Sequence, residues 1–301
     1  MKKKIVIVVG PTGVGKTGVA FELAQKFSDE IVNADSRQIY KELVIGAAKP
    51  TAVHFSQVPH HLFDVASLDD PWDAKRFQTE ADRVIREICG RGKLPIVVGG
   101  TGLYVRALLY GIFDGPHADQ TIRDQIRIEI AEKGLSVLYG ELVAADPTVT
   151  SEIHPNDEVR IVRALEVYRL TGRPLSELRA EQPFGDRRYD ALKIGLVTDR
   201  AKIYRQIDER VDDMIRQGLK QEVETLRNRW GDLPLLRLSI GYKEWLREGG
   251  GEKEMIEEIK KNSRNLAKRQ LSWFRSEKDI VWFEPSDRAS IARAVAEFRL
   301  T

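Results

Sequence analysis

The residues best placed to do chemistry form a glycine-rich loop near the N-terminus, in the stretch "VVGPTGVGKTGVA" at positions 8–20. The pattern G-x-x-x-x-G-K-[ST] is complete there, after the apolar run "KIVIVV" and before a helical pattern. Such a loop surrounds phosphate oxygens with backbone N–H groups, a lysine ammonium and a helix start, and its last hydroxyl can bind Mg²⁺. The sequence therefore predicts a phosphate site formed by Gly10, Pro11, Thr12, Gly13, Val14, Gly15, Lys16 and Thr17.

A second group of polar residues ends the next predicted strand, in "IVNADSRQIY". Asp35 has three possible roles there: a magnesium ligand, an N-cap for a helix that begins at Ser36, or a catalytic base. Arg37 and Gln38 follow, and a glutamine amide offers both a donor and an acceptor to an adenine edge. The residues alone leave the three roles of Asp35 open.

The nucleotide-hydrolysing classes that share this loop fit the rest of the chain less well. They usually need an acidic residue for Mg²⁺ at the end of a neighbouring strand, whereas the strand "LPIVVGG" at 94–100 ends in glycines. The chain has no Asn/Thr-Lys-x-Asp guanine-reading motif, which disfavours a GTPase. An ATP-dependent kinase of a small metabolite is an alternative, because it would use the same loop on ATP.

Composition limits the kind of protein and its compartment. The chain has 301 residues, a formal net charge of +2 and one cysteine, Cys89. A charge this small does not indicate nucleic-acid binding by itself, so any basic surface must be local. A single cysteine excludes a disulfide framework and fits a reducing cytoplasm, and no apolar stretch approaches membrane-spanning length. We therefore expect a cytoplasmic protein without a membrane span. A monomer is a separate expectation, which composition does not determine.

Alternating strands and helices must position these residues. In the first third of the chain, apolar β-branched runs alternate with helical patterns, which predicts a parallel sheet covered on both faces. Ligands in such sheets bind at the carboxyl ends of the strands. Further on, the spacing predicts a return strand at 189–199, one long helix with its apolar face over 203–226, and a last strand in "DIVWFEP".

From about 119 to 178 the apolar spacing is helical throughout. This segment interrupts the strand–helix alternation, so we interpret it as an insertion. The predicted fold class is α/β: a P-loop NTPase-like parallel sheet core at 1–115 and 190–301, with a mainly helical insertion domain at 116–189.

With these residues in view, the sequence resembles the tRNA dimethylallyltransferase family, also called tRNA isopentenyltransferases. The resemblance covers nearly the whole chain and rests on "GPTGVGKT", "NADSRQIYKELVIGAAKP", "VPHHLFDV", "VVGGTGLYVRALLYG", "RIVRALEVYRLTG", "IGYKE" and "NLAKRQLSWFR", in that order. The segment from Asp35 to Pro50, together with Gly99–Tyr104, is far more specific than the loop. This family transfers a five-carbon allylic group from dimethylallyl diphosphate to the exocyclic amine of the adenosine just 3′ of the anticodon.

The resemblance implies that the loop holds a diphosphate leaving group, with Mg²⁺ as the cofactor on Thr17. Lys16 and Thr17 would stabilise the charge that develops on the diphosphate, and Asp35 would take the proton of the amine, which makes these three the expected catalytic residues. Arg210 matches a family arginine associated with the diphosphate. The segment "YRQI" at 204–207 departs from the frequent Tyr-x-Arg-Ile, so the sequence leaves open which arginine reaches the ligand.

The resemblance also implies that the tRNA anticodon stem-loop presents a base that is swung out and enclosed. In the "GGTG" turn the backbone would approach the RNA closely, unless the turn only connects a strand to a helix. Arg160 and Arg163, three residues apart, would hold phosphates or form a solvated helix face. The expected tRNA-binding residues are Asp35, Ser36, Arg37, Gln38, Thr101, Arg123, Val159, Arg160, Ile161, Val162 and Arg163.

Two further features have both a functional and a structural interpretation. His60 and His61 lack a third ligand at metal spacing, which argues against a metal site. They are either pocket residues or packing residues, and packing is favoured. The segment 260–275 carries six cations and no acid, interleaved with Trp273 and Phe274, which is typical of an RNA-binding surface or of a helix packed on a core. A tRNA-binding protein without chemistry is therefore a third hypothesis, beside the prenyltransferase and the kinase.

Overall fold

A computed structural model describes the chain at residues 2–70, 72–113, 115–116, 118–181, 187–231, 233–247 and 249–301. The chain divides into two compact units. Unit 1 comprises Met1–Tyr110 and Arg187–Thr301, and unit 2 comprises Gly111–Asp186. The boundaries that the sequence predicts, at 115/116 and 189/190, lie within a few residues of this division.

Unit 1 is built on a parallel sheet, which has six strands in the described part of the chain. They are β1 (Lys4–Val9), β2 (Glu30–Asn33), β3 (His60–His61), β4 (Pro95–Val98), β5 (Asp190–Leu196) and β6 (Ile280–Phe283). Their order is β3-β2-β4-β1-β5-β6, and each pairing is parallel. The predicted parallel sheet, including the return strand and the last strand, is confirmed.

The described helices are, in chain order, α1 (Lys16–Phe27), α2 (Ala52–Gln57), α3 (Ala74–Gly90), α4 (Gly102–Tyr110), α5 (Gln120–Lys133), α6 (Leu135–Ala145), α7 (Glu158–Thr171), α8 (Leu175–Glu181), α9 (Arg200–Arg216), α10 (Leu219–Trp230), α11 (Pro234–Arg237), α12 (Glu252–Ser276) and α13 (Arg288–Leu300). Unit 2 holds α5 to α8. In the ranges that the structure describes, no helix is both long enough and apolar enough to cross a bilayer.

The continuous apolar strands are explained by burial on both faces of the sheet. Val8, Ile96 and Ile194 are fully or almost fully buried, and they belong to one core with Val19 of α1 and Val295 of α13. Burying each such side chain contributes about 1.5–3 kcal/mol. The core therefore fixes the strand ends, and with them the turns that carry the predicted site.

The single long helix predicted over 203–226 is wrong. The structure has two helices there, α9 and α10, and Gly218 separates them with φ +95°. That left-handed conformation is one that glycine adopts without penalty and that ends a helix. The apolar spacing continues across the break, since Met214 and Leu219 on either side are both buried, so the periodicity hides it.

Unit 2 is helical, as the spacing predicts. Its apolar core includes Ile126 of α5, Leu138 of α6, and Ile161 and Leu165 of α7. A fully buried carboxylate, Glu166, lies on α7 beside this core. A buried charge needs partners, and those partners are among the predicted tRNA-binding residues.

Candidate active site

Three strand ends bring the predicted residues to one edge of the sheet. β1, β4 and β2 are neighbours, with Val8 opposite Val98 and Val98 opposite Asn33. The glycine-rich loop follows β1, Asp35 follows β2, and the "GGTG" turn follows β4. The strands are parallel, so these three segments lie together at the carboxyl edge, where such folds bind ligands.

Asp35 lies in a turn that its own carboxylate closes. Its N–H donates to Asn33 Oδ1 at 2.9 Å, and its Oδ1 accepts from the N–H of Arg37 at 2.9 Å. Residues 36–39 form a turn and not a helix, so the helix-cap interpretation of Asp35 is wrong. Within the described chain no hydrogen bond reaches Oδ2, which leaves that oxygen for a substrate.

The loop after β1 has the backbone shape of an anion site. Gly15 has φ +93°, a conformation that side chains disfavour, and it immediately precedes α1. Lys16 turns back over the loop, and its Nζ donates to the carbonyls of Gly10 and Pro11 at 2.9 Å each. The first N–H groups of α1 have no partner inside the helix, so the ammonium and these donors together favour an anion.

Two helices of unit 1 reach the loop at Thr12. Gln270 of α12 accepts from the Thr12 N–H at 2.7 Å and donates to the carbonyl of Gly100 at 3.0 Å. Arg210 of α9 donates from Nη2 to the Thr12 hydroxyl at 2.7 Å. The glycine-rich loop, the "GGTG" turn and the predicted arginine are therefore joined by side-chain hydrogen bonds.

The two cations at the loop are half-buried, and the partial loss of solvent around them shifts their pKa values. Burial lowers the pKa of Lys16 to about 8, an effect that Asp35 opposes and Arg210 reinforces. Burial also lowers the pKa of Arg210, again opposed by Asp35. Arg210 Nε is buried without a hydrogen-bond partner, and such a group costs about 1–3 kcal/mol. An anion that accepts from Nε would remove this cost, so the site fits a diphosphate.

The side chains present also fit a magnesium ion that is held largely by a diphosphate. Thr17 offers its hydroxyl at the start of α1, beside the free N–H groups of the loop. In the described residues, no group of three or more His, Cys, Asp and Glu side chains forms a ready metal cage. Magnesium often binds through one or two protein oxygens, substrate phosphates and water, so a single protein hydroxyl suits this ion.

The "GGTG" turn packs against the turn that carries Asp35. Thr101 Oγ1 accepts from the Ser36 N–H at 3.0 Å and donates to the Ser36 hydroxyl at 3.3 Å. A Cβ on Gly99 would lie 2.1 Å from the carbonyl oxygen of Ala34. The close approach that requires glycine here is therefore made to the neighbouring strand, while an RNA contact of Thr101 stays a prediction.

The side-chain amide of Gln38 has no N–H donor left for a ligand. Its Nε2 donates to the carbonyls of Ala47 and Ala48 at 3.0 and 3.1 Å. A side-chain amide has two N–H hydrogens, and both are used. Only the carbonyl oxygen is left for an incoming base, so the expected donor–acceptor pair is wrong, and Gln38 can act as an acceptor alone.

The predicted tRNA-binding residues of unit 2 differ in exposure. Arg123 Nε and Arg163 Nη1 contact the two oxygens of buried Glu166 at 3.0 and 2.8 Å. Arg160 is 60% exposed and pairs with Asp157 at the start of α7. Val159 is 80% exposed, whereas Ile161 and Val162 are buried in the core of unit 2, so α7 presents only part of the predicted segment.

Comparison with known proteins assigns this arrangement to a family. The family model described as IPP transferase matches residues 38–277, and one described as isopentenyl transferase matches residues 3–72. The chain belongs to the IPP transferase family. It is 47% identical to "tRNA dimethylallyltransferase 2" of Geotalea uraniireducens over 99% of this chain and 97% of that protein. It is 44% identical to "tRNA dimethylallyltransferase" of Geobacter sulfurreducens, with the same coverage of both chains.

Solved structures of this family have the same fold. The full-length tRNA isopentenylpyrophosphate transferase of Bacillus halodurans is 36% identical, with a TM-score of 0.72 over 99% of this chain and 97% of that one. A eukaryotic dimethylallyltransferase acting on tRNA is 30% identical, with a TM-score of 0.79 over 99% of this chain and 78% of that one. The predicted P-loop-like α/β fold and the family resemblance are confirmed.

In this IPP transferase family member, the two histidines lie at structural contacts. His61 Nε2 lies 2.7 Å from Glu30 Oε2, and Glu30 also binds Arg91 and Lys93. His60 Nδ1 lies 2.7 Å from the carbonyl of Val58. These contacts support the packing interpretation of both histidines.

The basic segment 260–275 is less basic than its sequence suggests. Lys260 pairs with Asp212 at 2.8 Å, and Arg264 pairs with Asp208, both on α9. Lys268 and Arg275 line a cleft of about 340 Å³ together with Arg200. Two of the six cations of this segment are therefore paired with acids of α9, whereas Lys268 and Arg275 lie with Arg200 of α9 at the cleft.

Sequence reasoning missed the residues that hold the site in place. Gln270 bridges the loop and the "GGTG" turn, and Glu222 binds the turn that holds Gln38. Gln270 lies in "NLAKRQLSWFR", where a neutral residue among cations was a usable signal. Glu222 lies outside the stretches that carry the resemblance, so no motif marks it.

Proposed function

We propose that this chain transfers the dimethylallyl group of dimethylallyl diphosphate to the exocyclic amine of the adenosine just 3′ of the anticodon in tRNA. The observation that carries this proposal is the meeting of an anion site with Asp35 at one sheet edge. The negative charge of Asp35 stabilises the charged forms of Lys16 and Arg210, because it partly opposes the lowering of their pKa values by burial. A leaving group and a proton acceptor are thus close to each other, as the transfer requires.

The reaction breaks the bond between the allylic carbon and the diphosphate oxygen. The diphosphate leaves with the electron pair, and its negative charge is met by loop N–H groups, Lys16 and Arg210. The amine nitrogen forms the new bond to carbon, and its proton passes to Asp35 Oδ2. Thr17 would hold Mg²⁺, which when bound supplies further neutralisation of the diphosphate.

Each unit supplies some of the predicted tRNA-binding residues. In unit 1, the turn with Ser36, Arg37 and Gln38, joined to Thr101, would receive the flipped adenine. In unit 2, Arg123, Arg160 and Arg163 would contact backbone phosphates, with Val159, Ile161 and Val162 as the surrounding α7 segment. We further propose that the protein acts as a monomer in the cytoplasm.

A label-transfer experiment tests the proposal against the two alternatives. The protein is incubated with unmodified tRNA, Mg²⁺ and radiolabelled dimethylallyl diphosphate, and label that precipitates with RNA is counted. We expect label in the RNA, and stronger protection against thermal unfolding by dimethylallyl diphosphate than by ATP. A small-metabolite kinase would leave the RNA unlabelled and would be protected by ATP. A binding protein would retain tRNA without transferring label.

The affinity for dimethylallyl diphosphate should depend on pH through Lys16. The pKa of Lys16 in the free protein is about 8, and a bound diphosphate will raise it because an anion favours the ammonium. Below about pH 8 the ammonium is already present, so the protonation of Lys16 should not make the affinity depend on pH. Above it, binding must take up a proton, so the dissociation constant should rise by up to about tenfold per pH unit.

Titration at about pH 7, 8 and 9 checks this expectation, with Lys16→Arg as the control. A guanidinium stays protonated over this range, so the variant should lose the alkaline weakening. An alkaline weakening equal in both proteins would show that Lys16 does not titrate on binding.

Arg160→Ala should weaken tRNA binding and flatten its salt dependence. Arg160 is exposed and its only paired carboxylate in the described chain is Asp157 at 3.3 Å, so one phosphate contact is at stake. Each lost contact lowers the slope of log affinity against log salt by about one. Affinity for dimethylallyl diphosphate should not change.

The matched control for Arg160 is Arg83→Ala. Arg83 is similarly exposed and also pairs within its own helix, with Glu80 and Glu87 on α3. This control should leave the salt slope unchanged. Equal slopes for Arg160→Ala and the unmodified protein would mean that Arg160 belongs to a solvated helix face.

A further inference from the structure

The side chain of Gln38 is held by a turn nearby in sequence. That turn is itself held by α10, a helix far along the chain. The turn spans residues 45–48, and its last two carbonyls, of Ala47 and Ala48, take both N–H hydrogens of Gln38. Ala48 has φ +49°, an uncommon conformation for a residue with a side chain. A turn with such a conformation requires outside support to present both carbonyls to one amide.

The support comes from a carboxylate on α10. Glu222 accepts from the N–H of Ile45 at 2.8 Å and from the N–H of Gly46 at 3.3 Å. It also accepts from the hydroxyl of Tyr242 at 2.6 Å. Hydrogen bonds to an ionised acceptor are about twice as strong as neutral ones. One side chain therefore orders the first half of the turn.

Packing fixes the same turn from a second direction. Tyr242 is almost fully buried, and a Cβ on Gly46 would lie 2.4 Å from its ring. The ring therefore occupies the space that any side chain at position 46 would need. Glu222 binds both the turn and the tyrosine that packs on it, so the three groups form one unit.

We infer that Glu222 is a positioning residue for the base-receiving pocket. By holding the turn at 45–48, it fixes the amide of Gln38 so that only the carbonyl oxygen faces an incoming base. An acceptor at that point suits a base that offers an amine N–H, as adenine does. This inference rests on the proposed function, because it gives Gln38 a base to receive.

The test is Glu222→Gln in steady-state prenyl transfer. Glutamine keeps the size of the side chain but replaces one acceptor oxygen with an N–H₂ group, which opposes the donors of Ile45 and Gly46. We expect kcat/KM for tRNA to fall by about 10- to 100-fold, the loss of one or two charge-assisted hydrogen bonds. The KM for dimethylallyl diphosphate should stay within about twofold, because Glu222 contacts nothing in the loop.

The matched control is Glu224→Gln. Glu224 lies two residues further along α10 and is exposed, so its substitution makes the same chemical change on the same helix. Both kinetic constants should stay at the values of the unmodified protein. Tyr242→Phe is a second variant, which keeps the ring on Gly46 and removes one donor; it should lower kcat/KM for tRNA by about 3- to 10-fold.

A double-mutant cycle with Gln38→Ala separates positioning from general destabilisation. If Glu222 acts through Gln38, Glu222→Gln should cause little further loss in the Gln38→Ala background. Fully additive losses, or an equal rise in KM for both substrates, would overturn the inference. An unmodified protein that transfers no prenyl group would instead remove the proposed function itself.

Discussion

Asp35→Ala will lower the single-turnover rate of prenyl transfer by about 10²–10⁴-fold, the range for loss of a general base. The reason is that no hydrogen bond in the described chain reaches Asp35 Oδ2, and that the charge of Asp35 acts on both cations of the loop, Lys16 and Arg210. Affinity for dimethylallyl diphosphate and Mg²⁺ should change little, because the loop and Thr17 carry that site. Rapid mixing with excess protein over tRNA measures this rate without product release.

Asp35→Asn is the matched control for the turn. Its side-chain oxygen can still accept from the N–H of Arg37, so the turn at 35–37 should stay intact. Both variants lose the base, so both should be slow, and the asparagine variant should keep its affinity for tRNA. Recovery of the Asp35→Ala rate by excess Mg²⁺ would assign Asp35 to the metal instead.

Lys16→Ala will reduce kcat/KM for dimethylallyl diphosphate by about 10²–10³-fold, as expected for a donor aimed at developing negative charge. The ammonium acts on the bound substrate and on the leaving diphosphate, so both affinity and rate should fall. Lys26→Ala is the matched control, since Lys26 is an exposed lysine near the other end of α1. Unchanged affinity and turnover in Lys16→Ala would show that the loop is not the diphosphate site.

The sheet and the loop were predictable because local signals and the fold agree there. The apolar run of β1 leads directly into "GPTGVGKT", and each β-branched residue is buried as its type suggests. The break between α9 and α10 was not predictable from periodicity, since the apolar spacing continues across Gly218. The glycine itself was the one signal for a helix end at that position. The regular apolar spacing on both sides indicates a continuous helix instead.

The candidate site was predictable in its residues and less so in their partners. Sequence places Asp35 after a strand, but only the fold shows that its carboxylate closes a turn instead of capping a helix. Gln38 illustrates the same limit, since two carbonyls nine and ten residues away remove its donors. The number of cations in the sequence of α12 likewise overstates its exposed positive charge, because Arg264 is paired with an acid on α9.

The central claim is that this chain prenylates one adenosine of tRNA, and nucleoside mass analysis tests it most directly. Unmodified tRNA is incubated with the protein, Mg²⁺ and dimethylallyl diphosphate, and is then digested and mapped by mass. We predict an adenosine heavier by one C₅H₈ unit, located just 3′ of the anticodon, and no such product with Asp35→Asn in a single-turnover time. Folded protein that binds tRNA and leaves every adenosine at its original mass would contradict the account.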